Sequence, residues 1–431
     1  MSYFVGMRGT GDWVTDERPK SWREGILRLY PQGKALITAI MSKMSSEVVT
    51  DPEFYWWTQT VEAVSGAITN IYTNATMTTA YTTGGSQGDL LYCKVALAEA
   101  NKVRPGHQIV LRYTDDSRVD VTGKVTNVVR NGANSRLDVK LLEDDDNSPD
   151  YDLSDANHFI VIGSINPEGG QIPEAITRNP AKIYNLTQIF RTPLEITRTA
   201  RRTKLRTKEA YNEAKKEALE MHSIEMEMNT LFGQRLDTIG DNGKPERTTM
   251  GIIPFVRANA PANVDDFKFS TNINAGDTWL EGGKIWLDTM FEQLARYANM
   301  SDMVWCCGST ALLAINRLAA ANSEIQLVPT SPAYGLQVVK WITPFGDANL
   351  MTHPLLSQGV TTRKMMVGIT PKSMKFKYID DTFFKNDPEK EAGEGSYDAT
   401  KEEFLTEGGY EYQHPEHFMI LDGLGDTNLV T

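Results

Sequence analysis

Residues 198–233, RTARRTKLRTKEAYNEAKKEALEMHSIEMEMNTLFG, decide the fold of this chain. Their periodicity predicts one long helix from Thr203 to Phe232, stopped by Gly233, with Tyr211, Ala214, Ala218, Met221, Met228 and Phe232 on one stripe. At about 1.5 Å per residue, such a helix spans on the order of 45 Å. Its charges oppose its own dipole. The approach carries Arg198, Arg201, Arg202, Lys204, Arg206 and Lys208 with no acid among them, whereas the far half carries Glu217, Glu220, Glu225 and Glu227 with no Lys or Arg. A helix is partially positive at its N-terminus and partially negative at its C-terminus, so this layout disfavours the isolated helix by a few tenths of a kcal/mol per charge. A second copy of the helix, displaced along its axis so that basic half meets acidic half, offsets the cost and steers association. The bland alternative is a solvated, polarised surface helix in a monomer.

Upstream of the helix the chain reads as extended. The segment EFYWWTQTVEAV, residues 53–64, is rich in aromatic and β-branched residues, and residues 67–83 carry no charge at all. Ala181–Thr197 alternates in the same way, which predicts a two-stranded ribbon pairing Trp56–Thr83 with Ile183–Ile196. Between the two arms, Gly84–Gly163 holds short alternating strands at residues 108–113, 119–129, 135–142 and 158–163. Turn signals at Arg104-Pro-Gly, Asp115-Asp-Ser, Asn131-Gly and Asn147-Ser-Pro separate them, as in a small inserted barrel or sandwich. The first fifty residues read as a glycine-rich arm and two short amphipathic helices, the first placing Trp22, Ile26, Leu29 and Tyr30 on one stripe before Pro31. Downstream, residues 276–380 alternate helix and strand around one sheet, and Phe418–Leu421 predicts a last strand.

Composition bounds the function. At 431 residues the chain exceeds the size of a single hydrophobic core, so two to four domains are expected. No apolar run reaches the roughly 18 residues of a membrane span, and Met1–Gly9 lacks the layout of a secretory signal, so the cell interior is the expected compartment. The formal charge of −12 argues against wholesale binding to nucleic-acid phosphates. Cys93 lies far in sequence from the adjacent Cys306 and Cys307, which gives no disulfide framework.

Candidate chemistry is thin. His414-Pro-Glu-His417 places a proline inside the pair and lacks the helical register of a zinc protease, so a surface turn explains it. Glu143–Asp152 could gather carboxylates around calcium but lacks the glycine and distal glutamate of an EF-hand loop. The turn at Trp305-Cys-Cys-Gly-Ser309-Thr is not Gly-x-Ser-x-Gly, and Ser309 is explained as a helix N-cap. Gly6-Met-Arg-Gly-Thr-Gly11 has neither the preceding strand nor the spacing of a dinucleotide loop. No catalytic residue, cofactor site or metal site is expected.

The ordered set SWREGILRLYP (21–31), DPEFYWW (51–57), YNLTQIF (184–190), EALEMHSIEME (217–227) leading to Leu231-Phe-Gly, and TTMGI (248–252) resembles the major capsid proteins of tailed bacteriophages, with the Hong Kong 97 type fold. The similarity is to the branch with a β insertion between ribbon and spine helix. What the resemblance implies is an α+β fold: an N-terminal arm (1–50), an extended loop (51–83 and 164–197), an inserted β domain (84–163) on the outer surface, a peripheral domain with the spine helix (198–250 and 361–431) and an axial domain (251–360). It further implies a structural, non-enzymatic subunit of the virion, assembled in the host cytoplasm as hexamers and pentamers of an icosahedral head. Its partners would be further copies of itself, portal, scaffold and decoration proteins, and double-stranded DNA on the inner face, with no membrane. The charge layout of the helix and the aromatic ribbon make Arg198, Arg201, Arg202, Lys204, Arg206, Glu217, Glu220, Glu225, Glu227, Trp56 and Trp57 the candidate inter-subunit contacts. No coiled coil precedes the arm to act as an attached scaffold, and no maturation-protease site or crosslinking motif is recognisable. An encapsulin-like nanocompartment shell and a soluble metal-dependent enzyme using the acidic loop are the alternative readings.

Overall fold

The structure, a computed structural model, describes residues 45–59, 64–114, 119–145, 152–205, 208–322, 326–329, 339–387 and 399–430. The two helices expected before residue 45 lie outside the described residues. The chain divides into two compact units, Gln59–Ala181 and the remainder, Met1–Thr58 with Lys182–Thr431.

The Gln59–Ala181 unit is a closed antiparallel barrel. Around it run Ser65–Tyr72, Leu90–Val95, Arg136–Leu141, Asp120–Val129, His107–Arg112 and His158–Ser164, the last pairing back onto the first. Alternate residues fill the interior, among them Ile68, Ile71, Leu91, Cys93, Val95, Ile109, Leu111, Val139 and Phe159. Closure removes the exposed edges that an open sheet of this size would present. The barrel corrects the ribbon reading, because Ser65–Tyr72 pairs with Leu90–Val95 and His158–Ser164 and not with Ile183–Ile196. The uncharged stretch that follows is a turn satisfied from within: Asn74 Oδ1 accepts from the Thr78 and Thr79 amides at 3.0 and 3.1 Å. Its Thr and Asn side chains therefore serve local hydrogen bonding where an extended loop was expected.

Among the described residues the second unit holds two large sheets, three two-stranded ones and the spine helix. Its seven-stranded sheet runs Val264–Asp266, Met419–Asp422, Met366–Ile369, Val304–Cys307, Gly346–Thr352, Val339–Thr343 and Gln326–Pro329. Strands Met366–Ile369 and Met419–Asp422, expected with the peripheral part, thus lie inside the same sheet as residues 264–352. Helices Trp279–Ala295 and Ser309–Ala321 cover one face through Trp286, Phe291, Leu294, Ile315 and Leu318, packed with Trp305 and Cys307. Cys306, one residue on, faces the other core beside Met351, Val367, Phe255 and Tyr412. The first of these helices starts with a capping box between Thr278 and Glu281. The second has Gly308, not Ser309, at its N-cap. Glycine is needed there because a Cβ would stand 2.4 Å from the Arg363 carbonyl oxygen.

The four-stranded sheet runs Ser46–Val48, Met374–Asp387, Ala399–Tyr412 and Gln188–Thr197. The expected ribbon holds only at its base, where Glu53–Thr58 pairs with Ala181–Leu186, whereas Gln188–Thr197 lies antiparallel to Ala399–Tyr412. The spine helix, Ala210–Phe232, packs on this sheet through Ala218 against Leu194 and Phe404. It is shorter than expected, about 35 Å at 1.5 Å per residue. Thr197 caps a separate short helix, Arg198–Arg202, by accepting from the Ala200 amide, and Lys204-Leu205 then pairs with Lys208-Glu209 as strand. The β-branched Thr203 weakens helix continuity at this point. The basic residues therefore precede the spine helix, Arg201 and Arg202 sit favourably in the last turn of the short helix, and Glu213 lies in the spine helix's first turn. Opposition between charge and dipole survives only in the acidic far half.

Two predictions follow from the packing. His222 lies buried between spine helix and sheet, with Nδ1 3.0 Å from Thr192 Oγ1 and Nε2 2.8 Å from Thr406 Oγ1. Burial lowers its pKa, against a weaker upward pull from Glu225. The unfolded chain therefore takes up the proton more readily, and stability falls as pH drops through the ordinary imidazole value of about 6.5. His107 and His417 are shifted in the same direction, so His222→Gln should remove part of the slope of denaturation midpoint against pH. An unaltered slope would contradict the neutral, buried His222. Separately, Gln59–Ala181 expressed alone should melt in one cooperative transition followed by circular dichroism, because its core is closed on itself; a spectrum of disordered chain would refute this.

Candidate intersubunit surface

Two of the expected contact residues are interior. Glu227 and His353 are fully buried, with His353 Nε2 2.8 Å from Glu227 Oε1. His353 Nδ1 accepts from the Leu356 amide at 3.3 Å, so the proton sits on Nε2 and is donated to the carboxylate. Trp56, 7% exposed, lies between Phe54 and Phe255 with ring centroids 6.1 and 6.3 Å away. Neither Glu227 nor Trp56 can reach a neighbouring copy, and both are withdrawn as contacts. The reason is alternation: along Glu53–Thr58 the even positions Phe54 and Trp56 face the core, and Tyr55 and Trp57 face outward.

The remaining candidates are on the surface or at its edge. Arg198, Arg201 and Arg202 are exposed, and the Arg201 guanidinium lies 4.6 Å over the Tyr211 ring, whose hydroxyl donates to Glu402 at 2.6 Å. Lys204 sits opposite Glu209, and Arg206 lies outside the described residues. Glu217 and Glu225 are exposed and Glu220 half-buried, with Glu225 accepting from Thr192 Oγ1 at 3.2 Å. The basic candidates thus lie on the stretch that leads into the spine helix, and the acidic ones along the helix itself.

Two features escaped the sequence reading. Met221, Ile224 and Met228 are 52%, 41% and 37% exposed, so Met221 and Met228 lie outside the packed face to which the stripe assigned them. With Glu217 they stand at i, i+4, i+7 and i+11, a single outward line along the helix. The second feature is an aromatic ladder with cations. The Tyr55 and Tyr184 rings lie 5.8 Å apart, Lys182 Nζ stands 3.5 Å over Tyr55, and the Arg235 guanidinium stands 3.7 Å over Tyr184 while donating to the Tyr184 carbonyl at 2.6 Å. Trp57, on the same outward register as Tyr55, is 62% exposed. Alternation in EFYWWT was the available signal for Tyr55 and Trp57; nothing local to Lys182 or Arg235 announces a ring beneath each cation.

The other motifs resolve into packing. Burial raises the thiol pKa of Cys306 and Cys307, which keeps both protonated and unreactive. His417 Nδ1 lies 2.8 Å from Ser373 Oγ. In the acidic stretch, residues 146–151 lie outside the described residues, and Asp145 accepts from the Tyr81 hydroxyl at 2.6 Å. Among the described residues no group of three or more His, Cys, Asp or Glu is placed to hold a metal, and no helix is long and apolar enough to cross a membrane.

The family profile of the SU10 major capsid protein matches residues 7–425. The major capsid protein of Pseudomonas phage PaMx41 is 23% identical over 442 residues, covering 98% of this chain and 97% of its own. Among solved structures, one from Mycobacterium phage Bobi aligns with a TM-score of 0.44 at 7% identity over 96% of this chain and 98% of its own. The SrpI encapsulin of Synechococcus elongatus PCC 7942 aligns with a TM-score of 0.39 at 10% identity over 59% of this chain and 79% of its own.

Exchanging neighbouring tryptophans tests the division of the surface. Trp56→Ala should cost the subunit on the order of 3–5 kcal/mol, as for a large buried aromatic, whereas Trp57→Ala should stay within about 0.5 kcal/mol. Denaturant unfolding of the unassembled subunit measures both, and equal costs would contradict the register assigned to this strand.

Proposed function

The chain belongs to the SU10 major capsid protein family, and from that premise we propose that it assembles through hexamers and pentamers into a closed icosahedral head around double-stranded DNA. It is a structural component of the phage virion and not an enzyme. The observation that carries the proposal is the extent of the family match, which runs from residue 7 to residue 425 and so takes in the barrel, both large sheets and the spine helix. Exposed apolar and aromatic side chains on the spine helix and on Glu53–Thr58 support it, because contiguous exposed apolar surface marks sites of association. Individual exposed ion pairs contribute only about 0.2–1 kcal/mol, which suits reversible addition of subunits that becomes decisive when repeated around a shell.

Assembly is expected in the host cytoplasm, with portal, scaffold and decoration proteins as further partners and packaged DNA on the inner face. Sedimentation and negative-stain microscopy of the purified chain should show closed particles. A folded chain that stays monomeric at every salt and protein concentration would overturn the proposal, and particles holding a cargo enzyme in place of DNA would favour a nanocompartment shell. Reversing Arg201 and Arg202 to Glu should reduce particle yield more than subunit stability, since like charges then meet at the contact. Normal yield from the double variant would remove these arginines from the interface.

A further inference from the structure

The turn that leads into barrel strand His107–Arg112 brings a cation and an imidazole together. Pro105 and Gly106 occupy its centre, with Gly106 at φ 91°, the left-handed setting required at the second central position of a type II turn. The His107 amide closes the turn by donating to the Arg104 carbonyl at 3.3 Å. Both ring nitrogens of His107 then face N–H groups of Arg104: Nε2 lies 3.1 Å from the guanidinium Nε, and Nδ1 lies 3.4 Å from the main-chain nitrogen. A neutral ring has one nitrogen lone pair to offer, and the shorter contact places it on Nε2. A protonated ring has none, so it would set N–H against N–H on both sides. His222 is under no such restriction, because its two partners are hydroxyls that can turn to accept.

The bond to His107 fixes where Arg104 points. With Nε held by the ring, the planar guanidinium carries Nη1 to the Glu174 carbonyl, to which it donates at 2.6 Å. Glu174 lies in the return segment 165–180, by which the chain leaves the barrel; apart from Ile165 and Pro173 the segment is exposed along its length, Ile172 to 96%. The Ile165 amide donates to the Gly106 carbonyl at 2.8 Å. Beyond it, among the described residues, the Arg104 contact is the one hydrogen bond that ties the segment back to the rest of the barrel unit. We propose that His107 is a proton-operated latch: neutral, it holds Arg104 on the Glu174 carbonyl and so straps the return segment to the barrel; protonated, it releases Arg104 and frees the segment. Burial and the neighbouring guanidinium both disfavour the charged ring and lower its pKa. The strap is therefore closed at neutral pH and opens as pH falls below the ordinary imidazole value of about 6.5. Of the surrounding charges, Arg104 acts on the ring. Lys102 beside the same turn, Lys124 opposite Gln108 on strand Asp120–Val129, and Glu168 and Glu174 on the return segment are the further ones, and strand His158–Ser164 sets uncharged Ser164 opposite His107. The latch lies within one copy and does not depend on assembly.

A nitroxide attached through Ala175→Cys reads the strap in the unassembled full-length chain, since Ala175 is exposed beside Glu174 and the three native cysteines are buried. Its rotational mobility, measured by electron paramagnetic resonance, should be low at neutral pH and rise severalfold on acidification below about 6.5, with the far-ultraviolet circular dichroism unchanged. His107→Gln offers Arg104 an amide oxygen and does not titrate, so in that background the label should stay slow throughout. Arg104→Ala removes the strap, and the label should be mobile at every pH. Mobility that ignores pH with His107 and Arg104 both in place overturns the latch. So does a step that persists in His107→Gln, which assigns the titration to a carboxyl such as Glu168 or Glu174. A step that coincides with loss of the circular dichroism signal is global unfolding and overturns it as well. Should His107→Gln not fold, Arg104→Ala decides: a surviving pH step in that variant refutes the proposal, and a label mobile at every pH supports it.

Discussion

The hydrogen bond between Glu227 and His353 fixes how the spine helix is rotated, and most of the surface follows from that rotation. His353 directly follows strand Gly346–Thr352, and its amide donates to the Cys307 carbonyl at 2.8 Å, so it is bound to the seven-stranded sheet. Five residues earlier along the helix, His222 bonds Thr192 and Thr406 on the four-stranded sheet. Five residues advance about 140° around a helix with 3.6 residues per turn. One helix is thus anchored to two sheets by polar groups on two faces, and the arc opposite both anchors must face outward. Met221, Ile224 and Met228 occupy that arc. A buried carboxylate is costly unless hydrogen-bonded, so this arrangement resists rotation more strongly than apolar packing alone would.

The same constraint explains which parts of the fold were legible in the sequence. The spine helix, its stop at Gly233, and the strands Val304–Cys307 and Met419–Asp422 announce themselves through period and punctuation. The helix face does not: Met221 and Met228 read as interior because they are apolar, and Glu227 reads as exterior because it is charged. Only a tertiary partner, His353, 126 positions away, reverses both assignments. Trp56 and Trp57 show a milder form of this ambiguity. Both suit a strand, strand alternation guarantees that they face opposite ways, and which one is inside depends on Phe255, nearly two hundred residues later.

Beyond its base, where Glu53–Thr58 does pair with Ala181–Leu186, the ribbon failed for a different reason. Ser65–Tyr72 and Gln188–Thr197 each have strand character, but hydrophobic alternation says that a strand exists and not with what it pairs. Ile68 and Ile71 complete a barrel core, whereas Phe190 and Leu194 face the core side of the four-stranded sheet. Arg191 adds a bidentate contact to Glu403 at 2.7 and 2.8 Å that holds this second pairing in register. In the basic stretch 198–208, composition suggested continuous helix, and threonine chemistry at Thr197 and Thr203 breaks it: one caps the short helix, and the other returns its hydroxyl to the Thr199 carbonyl at 2.7 Å. The family resemblance carried the functional class because it rests on the order of elements, which survives such local misreadings.

The role given to the Glu227–His353 bond is tested most directly by a double-mutant cycle on the unassembled subunit, using Glu227→Ala, His353→Ala and the pair, followed by denaturant unfolding. Each single change leaves a buried polar partner behind and should cost on the order of 3–5 kcal/mol. The double variant removes both partners and should cost clearly less than the sum, giving a coupling of roughly 1–3 kcal/mol. Single costs that add to within about 0.5 kcal/mol would show that the two groups do not act on each other and would leave the orientation of the spine helix without its cause.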